Sequence, residues 1–335
     1  MASPFVPESP MKARQARIFR TGGPEVIEWV EVDLPAPGPG EVLVEHTAVG
    51  LNMIDTYHRS GVYPIQLPSG LGVEAAGQVV ATGPGVVGIA AGDRVSTFGP
   101  DLGAYASARI YPADWLFRLP DSIDEATAAA ATLKGCTVEF LVERCARVEA
   151  GMPVLVHAAA GGVGLLLVQW LKHVGATVIG TVSTEEKAQA ALAAGADHVI
   201  NYATDAVAPR VRELTGGKGV RVAFDGVGMA TWEASLDSTG RRGLVVSYGN
   251  ASAPVTGVGL GTLSQKGSLF VTRPTLYHYY ADREEREAGA ARVWDMIASG
   301  AVKVTIGQTR PLSEVAEAHA DLEARRTTGS TVLLP

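Results

Sequence analysis

The sequence predicts an α/β protein in which a doubly wound, parallel six-stranded sheet is joined to a second, mostly β domain. Three observations carry this. Strand and helix patterns alternate strictly between about residues 153 and 272, the signature of parallel βαβ units with a buried sheet. A glycine-rich turn links the first of these strands to its helix. The hundred or so residues before them form short β segments broken by glycine and proline.

Residues 1–12 are expected to be disordered, because three prolines fall within the first ten. From Ala16 to about Pro120, segments such as EVLVEHTAVG (41–50), GQVVATG (77–83) and DRVSTFG (93–99) suit a small, curved, mostly antiparallel unit. Composition then changes. DSIDEATAAAATLKG (121–135) offers Asp121 and Ser122 as N-cap candidates and runs into an alanine-rich helix. Strands are predicted at Val154–His157, Thr177–Val182, His198–Ile200, Val220–Asp225, Gly243–Ser247 and Ser268–Thr272. Helices are predicted near 162–173, 185–194, 205–214 and 230–238. A further helix at 283–299 precedes a tail of short β segments, Val302–Pro335, with a helix near 313–325. That tail is expected to rejoin the first β unit. The β domain would then be discontinuous, 1–130 and 300–335, around a nucleotide-binding domain of 131–299.

Composition excludes several classes of function. The length of 335 residues matches two domains at ~150 residues each. With 47% hydrophobic and 19% charged residues, the chain has ample core and is not disordered overall. Net charge is −7 without a long basic run, which disfavours nucleic acid as a partner. Cys136 and Cys145 are the only cysteines, too few for a disulfide scaffold or a cysteine-rich zinc site. MASPFVPESP has no apolar signal region, and the longest apolar stretch, Ala158–Val168, is too short for a bilayer and carries three glycines. A cytoplasmic protein without a membrane partner is expected.

The segment VLVHAAAGGVGLLLVQWLKHVGATVIGTV (154–182) is the most informative. A strand ends at His157, a tight loop follows, and a helix opens near Gly162. The pattern Ala159-x-Gly161-x-x-Gly164 has alanine where the dinucleotide fingerprint usually has its first glycine. Gly161 would admit a pyrophosphate, Gly164 would let the helix pack closely, and the phosphates would meet free N–H groups at the helix N-terminus. Ala160, Gly161, Gly162, Val163 and Gly164 would frame that site; an ordinary tight βα turn is the alternative. The second strand ends Thr181-Val182-Ser183 with no acid to hold a ribose 2′-OH, and Lys187 lies one turn into the next helix. A 2′-phosphate, hence NADPH, is favoured, although Lys187 also suits a solvated surface.

Together these residues carry a likeness to a known group. The chain resembles the zinc-free quinone oxidoreductase branch, relatives of zeta-crystallin, in the medium-chain dehydrogenase/reductase superfamily. The matching segments are GLNMIDTYHRSGVYP (50–64), PSGLGVEAAGQV (68–79), AGDRV (91–95), LKGCTVEFLV (133–142), HAAAGGVG (157–164), SYGN (247–250) and KGSLFVTRPTL (266–276). They follow the family's order over nearly the whole chain, from about Ala16. The resemblance implies a GroES-like, mostly β catalytic domain beside a Rossmann domain with the doubly wound six-stranded sheet. Where zinc-dependent members hold their metal, this chain has Asn52 and, in Gly72-Val73-Glu74, a valine. Neither is a useful zinc ligand, and no structural zinc lobe exists, so metal-free chemistry is expected. Cys136 is most simply a buried small residue.

The resemblance also implies further contacts. Asn52, Thr137 and the backbone near Gly226 would lie by the nicotinamide half, with Ser247, Tyr248 and Asn250 under the nucleotide. Val271 and Arg273 would flank the nicotinamide. Lys187, Tyr202 and Arg325, with Ser183, would clamp the 2′-phosphate, unless Tyr202 is a core aromatic and Arg325 a helix C-terminal cation. Asn52, Tyr57 and Tyr63 are the candidates for the substrate side, since tyrosine stacks on planar rings and donates to carbonyls. Structural aromatics are the alternative for both tyrosines. His58 is expected to be exposed and is assigned no role.

The implied activity is metal-free hydride transfer from NADPH to a quinone or conjugated carbonyl, with no strong general acid required. An NADPH-dependent enone or alkenal reductase of the same fold is the closest alternative. A lens-protein or RNA-binding role is a third, which the charge disfavours. Family members usually pair as homodimers through the last Rossmann strand, here Ser268–Thr272.

Overall fold

The computed structural model describes residues 10–99 and 101–335. In chain order, the first strands are β1 (Met11–Ile18), β2 (Glu28–Leu34) and β3 (Glu41–Leu51). Helix α1 (Met53–Ser60) precedes β4 (Ser69–Gly70), β5 (Glu74–Thr82), β6 (Arg94–Thr97), β7 (Ala108–Pro112) and β8 (Phe117–Arg118). Then follow α2 (Glu125–Glu139), β9 (Pro153–Val156), α3 (Gly162–Val174), β10 (Thr177–Val182), α4 (Glu185–Ala193) and β11 (His198–Asn201). The next are α5 (Val207–Leu214), β12 (Val220–Asp225), α6 (Trp232–Ser238), β13 (Thr239–Ser247), α7 (Leu260–Gln265) and β14 (Phe270–Thr272). The chain continues through α8 (Leu276–Tyr279), α9 (Arg283–Ala298), β15 (Ile306–Pro311), α10 (Val315–Glu323) and β16 (Ser330–Leu334). Among the described residues, no helix is long and apolar enough to cross a membrane.

Two compact units result. The first comprises 1–133, 282–294 and 306–335; the second comprises 134–281 and 295–305. The segment 282–294 thus falls in the first unit, outside the expected β-domain boundaries. Its anchors explain this: Arg283 pairs with Asp114 at 3.1 Å, and Arg286 lies 4.5 Å over the Trp115 ring.

In the second unit the six strands run in the order β11-β10-β9-β12-β13-β14, and every pairing is parallel. This is the doubly wound arrangement predicted from the alternation, with the order reversing beside β9. Leu155, Ile179, Ala223 and Val245 lie in the buried core with Trp232 and Leu236, which is why these strands read as continuous apolar runs. Strand β14 begins two residues later than expected, because Ser268 has a left-handed φ of 55° that no strand accommodates. As the edge strand it leaves Phe270 62% and Val271 37% exposed.

The first unit holds a three-stranded sheet, β2-β1-β4, and a seven-stranded one, β15-β16-β3-β5-β6-β8 with β7 on β3. Strand β16 pairs with β3 through Val332 and Gly50. Three expectations need correction here. Met11 and Lys12 are not disordered but open β1, paired with Leu34 and Asp33; the remainder of the 1–12 expectation, residues 1–9, lies outside the described residues. Residues 53–60, read as β-rich, form α1, which is capped at both ends. Asp55 accepts from the Asn52 N–H at 2.9 Å, and Gly61 closes the helix with φ 86°. The cap of α2 is Asp124, not Asp121 or Ser122. Ile123 N–H bonds back to Pro120, turning those two outward, and Asp124 Oδ1 accepts from Thr127 N–H at 2.7 Å.

Candidate active site

The glycine loop follows β9. His157 continues from the strand, Ala158 turns left-handed at φ 52°, and Gly161 caps α3 with extended backbone. The α3 N-terminus has no side-chain cap and no acid in its first turn, which leaves the Gly162, Val163 and Gly164 N–H groups for an anion. A side chain at Gly161 would meet only the Ala158 carbonyl, 3.3 Å away, so the space before it is open. At Gly164 a Cβ would lie 2.2 Å from the same carbonyl, so close packing of α3 requires glycine there. The loop therefore fits a pyrophosphate. Ala160 is buried to 2% exposure and offers backbone only.

The alanine at the first fingerprint position also has a local reason. Ala159 needs no positive φ, and its methyl faces Gly180 on β10, where a Cβ would come within 2.8 Å of it. The left-handed residue is instead Ala158, exposed and not glycine. That conformation costs an ordinary residue roughly 1–2 kcal/mol.

At the end of β10, Ser183 and Lys187 are half-buried, and Thr184 caps α4 by accepting from Lys187 N–H at 3.2 Å. Tyr202 follows β11, donates its N–H to Val182 O at 3.0 Å, and is 40% exposed. It is not a core aromatic. Ser183, Lys187 and Tyr202 are thus brought to adjacent strand ends. Glu185, in the first turn of α4, accepts from the Gln189 side chain at 2.7 Å along the helix. Arg325 lies in the first unit, exposed, just past α10 with φ 58°.

The loop after β12 is organised by Asp225, which is fully buried. Its carboxylate accepts from Val227 N–H at 2.9 Å, Gly228 N–H at 3.0 Å, Thr231 Oγ1 at 2.8 Å and Ser235 Oγ at 2.6 Å. Its own carbonyl accepts from Tyr248 N–H, whose ring then lies against Gly226, 2.8 Å from where a Cβ would sit. Ser247 is buried, and its carbonyl accepts from Arg273 Nη1 at 3.0 Å. Asn250 and Thr137 are half-buried in this unit, and Val271 lies on the open edge.

Sequence reasoning missed His157, although its position at a strand end was visible. The ring is buried, with Nδ1 3.1 Å from Thr181 Oγ1 and Nε2 3.0 Å from Ser235 Oγ. Because Ser235 donates to a carboxylate, it accepts from Nε2–H, and Nδ1 accepts from Thr181. Burial pushes this histidine below its ordinary range.

In the first unit Asn52 is 5% exposed, and its amide nitrogen donates to Glu74 Oε2 at 2.8 Å. Glu74, fully buried, accepts on its other oxygen from Leu133 N–H at 2.6 Å. Asn52 thus caps α1 and satisfies a buried carboxylate. A relay continues behind it: Tyr105 donates to Asp55 at 2.7 Å, His319 Nε2 lies 3.1 Å from Tyr105 Oη, and Arg59 Nη1 lies 3.0 Å from His319 Nδ1. Arg59 is paired with Glu323 at 2.6 Å. Tyr57, on α1, is buried and packs edge-on against half-buried Tyr63, centroids 5.2 Å apart. His58 is half-buried against the same Tyr63 ring rather than exposed, and burial lowers it to about 4. Among the described residues, no three His, Cys, Asp or Glu side chains gather to hold a metal ion.

Residues 38–121 match the alcohol dehydrogenase GroES-like domain, and residues 162–294 match the zinc-binding dehydrogenase family. A quinone oxidoreductase of Pseudomonas aeruginosa is 50% identical over 324 residues, which cover 96% of this chain and 100% of that protein. The chain belongs to the quinone oxidoreductase family. Asn52 and Val73, at the positions where metal ligands would stand, place it in the zinc-free branch of the superfamily. The crystal structure of the family member from Escherichia coli complexed with NADPH superposes with a TM-score of 0.94 at 50% identity, covering 96% of this chain and 100% of that one. A 2-haloacrylate reductase of a Burkholderia species is 44% identical over 327 residues, covering 96% of this chain and 98% of that protein.

The buried histidines predict acid sensitivity. Burial holds His46 at about 4 and His319 at about 3, the latter also opposed by the Arg59 charge. Each takes up its proton near 6.5 only when unfolded. Folded values lie below unfolded ones, so their stabilising contribution is complete above pH 6.5 and is lost as the pH falls towards 4. Stability should decline on acidification through this window by up to about 1.4 kcal/mol per pH unit for each histidine. Urea unfolding at a series of pH values measures this, and His319→Gln should flatten the slope. A slope unchanged in that variant would remove His319 from the account.

Proposed function

We infer that the protein is an NADPH-dependent quinone oxidoreductase acting without a metal ion. The observation that carries this is the uncapped, acid-free start of α3 behind Gly161 in a chain of this family. When bound, NADPH supplies a hydride, and a quinone or related conjugated carbonyl accepts it. The Gly162, Val163 and Gly164 N–H groups hold the pyrophosphate, and Gly161 leaves the space for it. The Gly226 backbone, Thr137, Ser247, Tyr248, Asn250, Val271 and Arg273 are read as shaping the remainder of the cofactor site. Asn52, Tyr57 and Tyr63 are read as the substrate-side residues. One Asn52 amide N–H goes to Glu74, and Tyr63, half-buried, is read as the ring that orients a planar acceptor. Quinone oxygens accept electron density readily, which fits a site without a paired acid and base.

A C=C reductase of the same fold is the second reading, favoured by the 44% identity to a 2-haloacrylate reductase. NADPH oxidation followed with 9,10-phenanthrenequinone, 1,4-benzoquinone, a short enal and 2-chloroacrylate, all in EDTA, separates the two. Turnover of the quinones well above that of the alkenes is expected. The reverse order would establish the second reading, and loss of activity in EDTA would end the metal-free mechanism.

Cofactor choice rests on Ser183, Lys187, Tyr202 and Arg325. Charge-assisted hydrogen bonds to a 2′-phosphate are worth roughly 1.5–3 kcal/mol each. At about 1.4 kcal/mol per decade, Lys187→Ala and Arg325→Ala should each raise KM for NADPH about 10–100-fold. NADH kinetics should stay nearly flat. Equal losses with both cofactors would mean that these residues support the fold instead.

We further propose a homodimer paired through β14, supported by the exposed Phe270 and Val271 on that edge. Light scattering should give twice the chain mass, and Phe270→Lys should give a monomer. A wild-type monomer at micromolar concentration would exclude the dimer.

A further inference from the structure

Ala158 is left-handed although it is not glycine, and it sits at the mouth of the loop read above as the pyrophosphate site. Such a conformation persists only where its surroundings impose it. Both neighbours are held. His157 N–H bonds to Phe224 O and Ala159 N–H to Thr181 O, each at 3.0 Å, and Gly161 N–H closes the turn on Ala158 O. Of the two held neighbours, only His157 adds side-chain hydrogen bonds. Its ring reaches Thr181 at the end of β10 and Ser235 on α6, and Ser235 leads directly to the carboxylate that fixes the loop after β12.

We propose that His157 is a positioning residue that imposes the left-handed turn at Ala158 and so presets the pyrophosphate loop, in register with the loops after β10 and β12. The proposal rests on the reading of 158–164 as the pyrophosphate loop. It assigns His157 no contact with cofactor or substrate.

The ordering of protons supports this specificity. Asp225 only accepts, Ser235 donates to it and accepts from Nε2–H, and Nδ1 accepts from Thr181. Every member of the chain is buried, so a wrong partner leaves a polar group unsatisfied and the arrangement has one stable sense. A histidine that merely filled space would be replaceable by an apolar side chain of similar volume. One that imposes the turn would not, unless the turn ceased to need imposing.

That difference is the test. NADPH and NADH dissociation constants are measured by fluorescence titration for His157→Leu, Ala158→Gly and the double variant. In the native background His157→Leu should weaken both cofactors about tenfold, since pyrophosphate is common to them. In the Ala158→Gly background, where glycine adopts the turn freely, the same change should cost threefold or less. His157→Gln, which retains a donor for Ser235, should lose less than His157→Leu. If His157→Leu does not fold, Thr181→Val, nearly isosteric, replaces it in the cycle with an expected loss of about threefold that Ala158→Gly again suppresses. Equal losses in both backgrounds, or no loss in either, would overturn the proposal. Gly161→Val tests the underlying reading separately. Loss of binding there with an additive cycle refutes only the role of His157, whereas normal NADPH binding by Gly161→Val refutes the loop itself.

Discussion

A carboxylate shut away from water must collect its hydrogen bonds from the protein, and the Asp225 carboxylate does so from two backbone amides and two hydroxyls. That requirement draws the loop after β12 into a single shape and draws α6 down onto the strand ends through Thr231 and Ser235. The parallel sheet brings the C-terminal ends of β9, β10 and β12 side by side. Asp225 and its partners decide how those ends connect.

The first unit solves a related problem in another way. Glu74 is fully buried, and its carboxylate accepts from the Asn52 amide and the Leu133 N–H. Asn52 therefore follows the end of β3, opens α1 and gives a hydrogen bond to a buried carboxylate. The relay from Arg59 through His319 and Tyr105 to Asp55 supports it from behind, in a direction fixed because Asp55 and Arg59 can each play only one part.

Much of this was legible in the amino-acid order. Apolar runs such as Val154–Val156 and Val220–Phe224, separated by helical stretches, specify a sheet buried on both faces, and Gly161 and Gly164 locate the loop. Other features were hidden for physical reasons. Helix α1 is short, and its Asn52-x-x-Asp55 box and Gly61 stop lie in a region dominated by β signals, so the caps were present but outweighed. Asp121, Ser122 and Asp124 are all acceptable caps, and only the turn at Pro120 chooses among them. His157 carries no local signature at all. Its partners, Thr181, Ser235 and Asp225, lie far along the chain, and a network made of such separations becomes visible only when the strands are laid side by side.

Strand β16 lies between β15 and β3, with Thr331, Val332 and Leu333 nearly inaccessible. Its consequence is one of timing. The first unit begins with β1, yet its larger sheet cannot be completed until residue 334 has been synthesised. The second unit has all six strands of its sheet by residue 272. On the ribosome, the nucleotide-binding sheet can therefore close while Val49, Gly50 and Leu51 of β3 still wait for β16. Loss of the last few of these residues would damage the part of the protein that was made first.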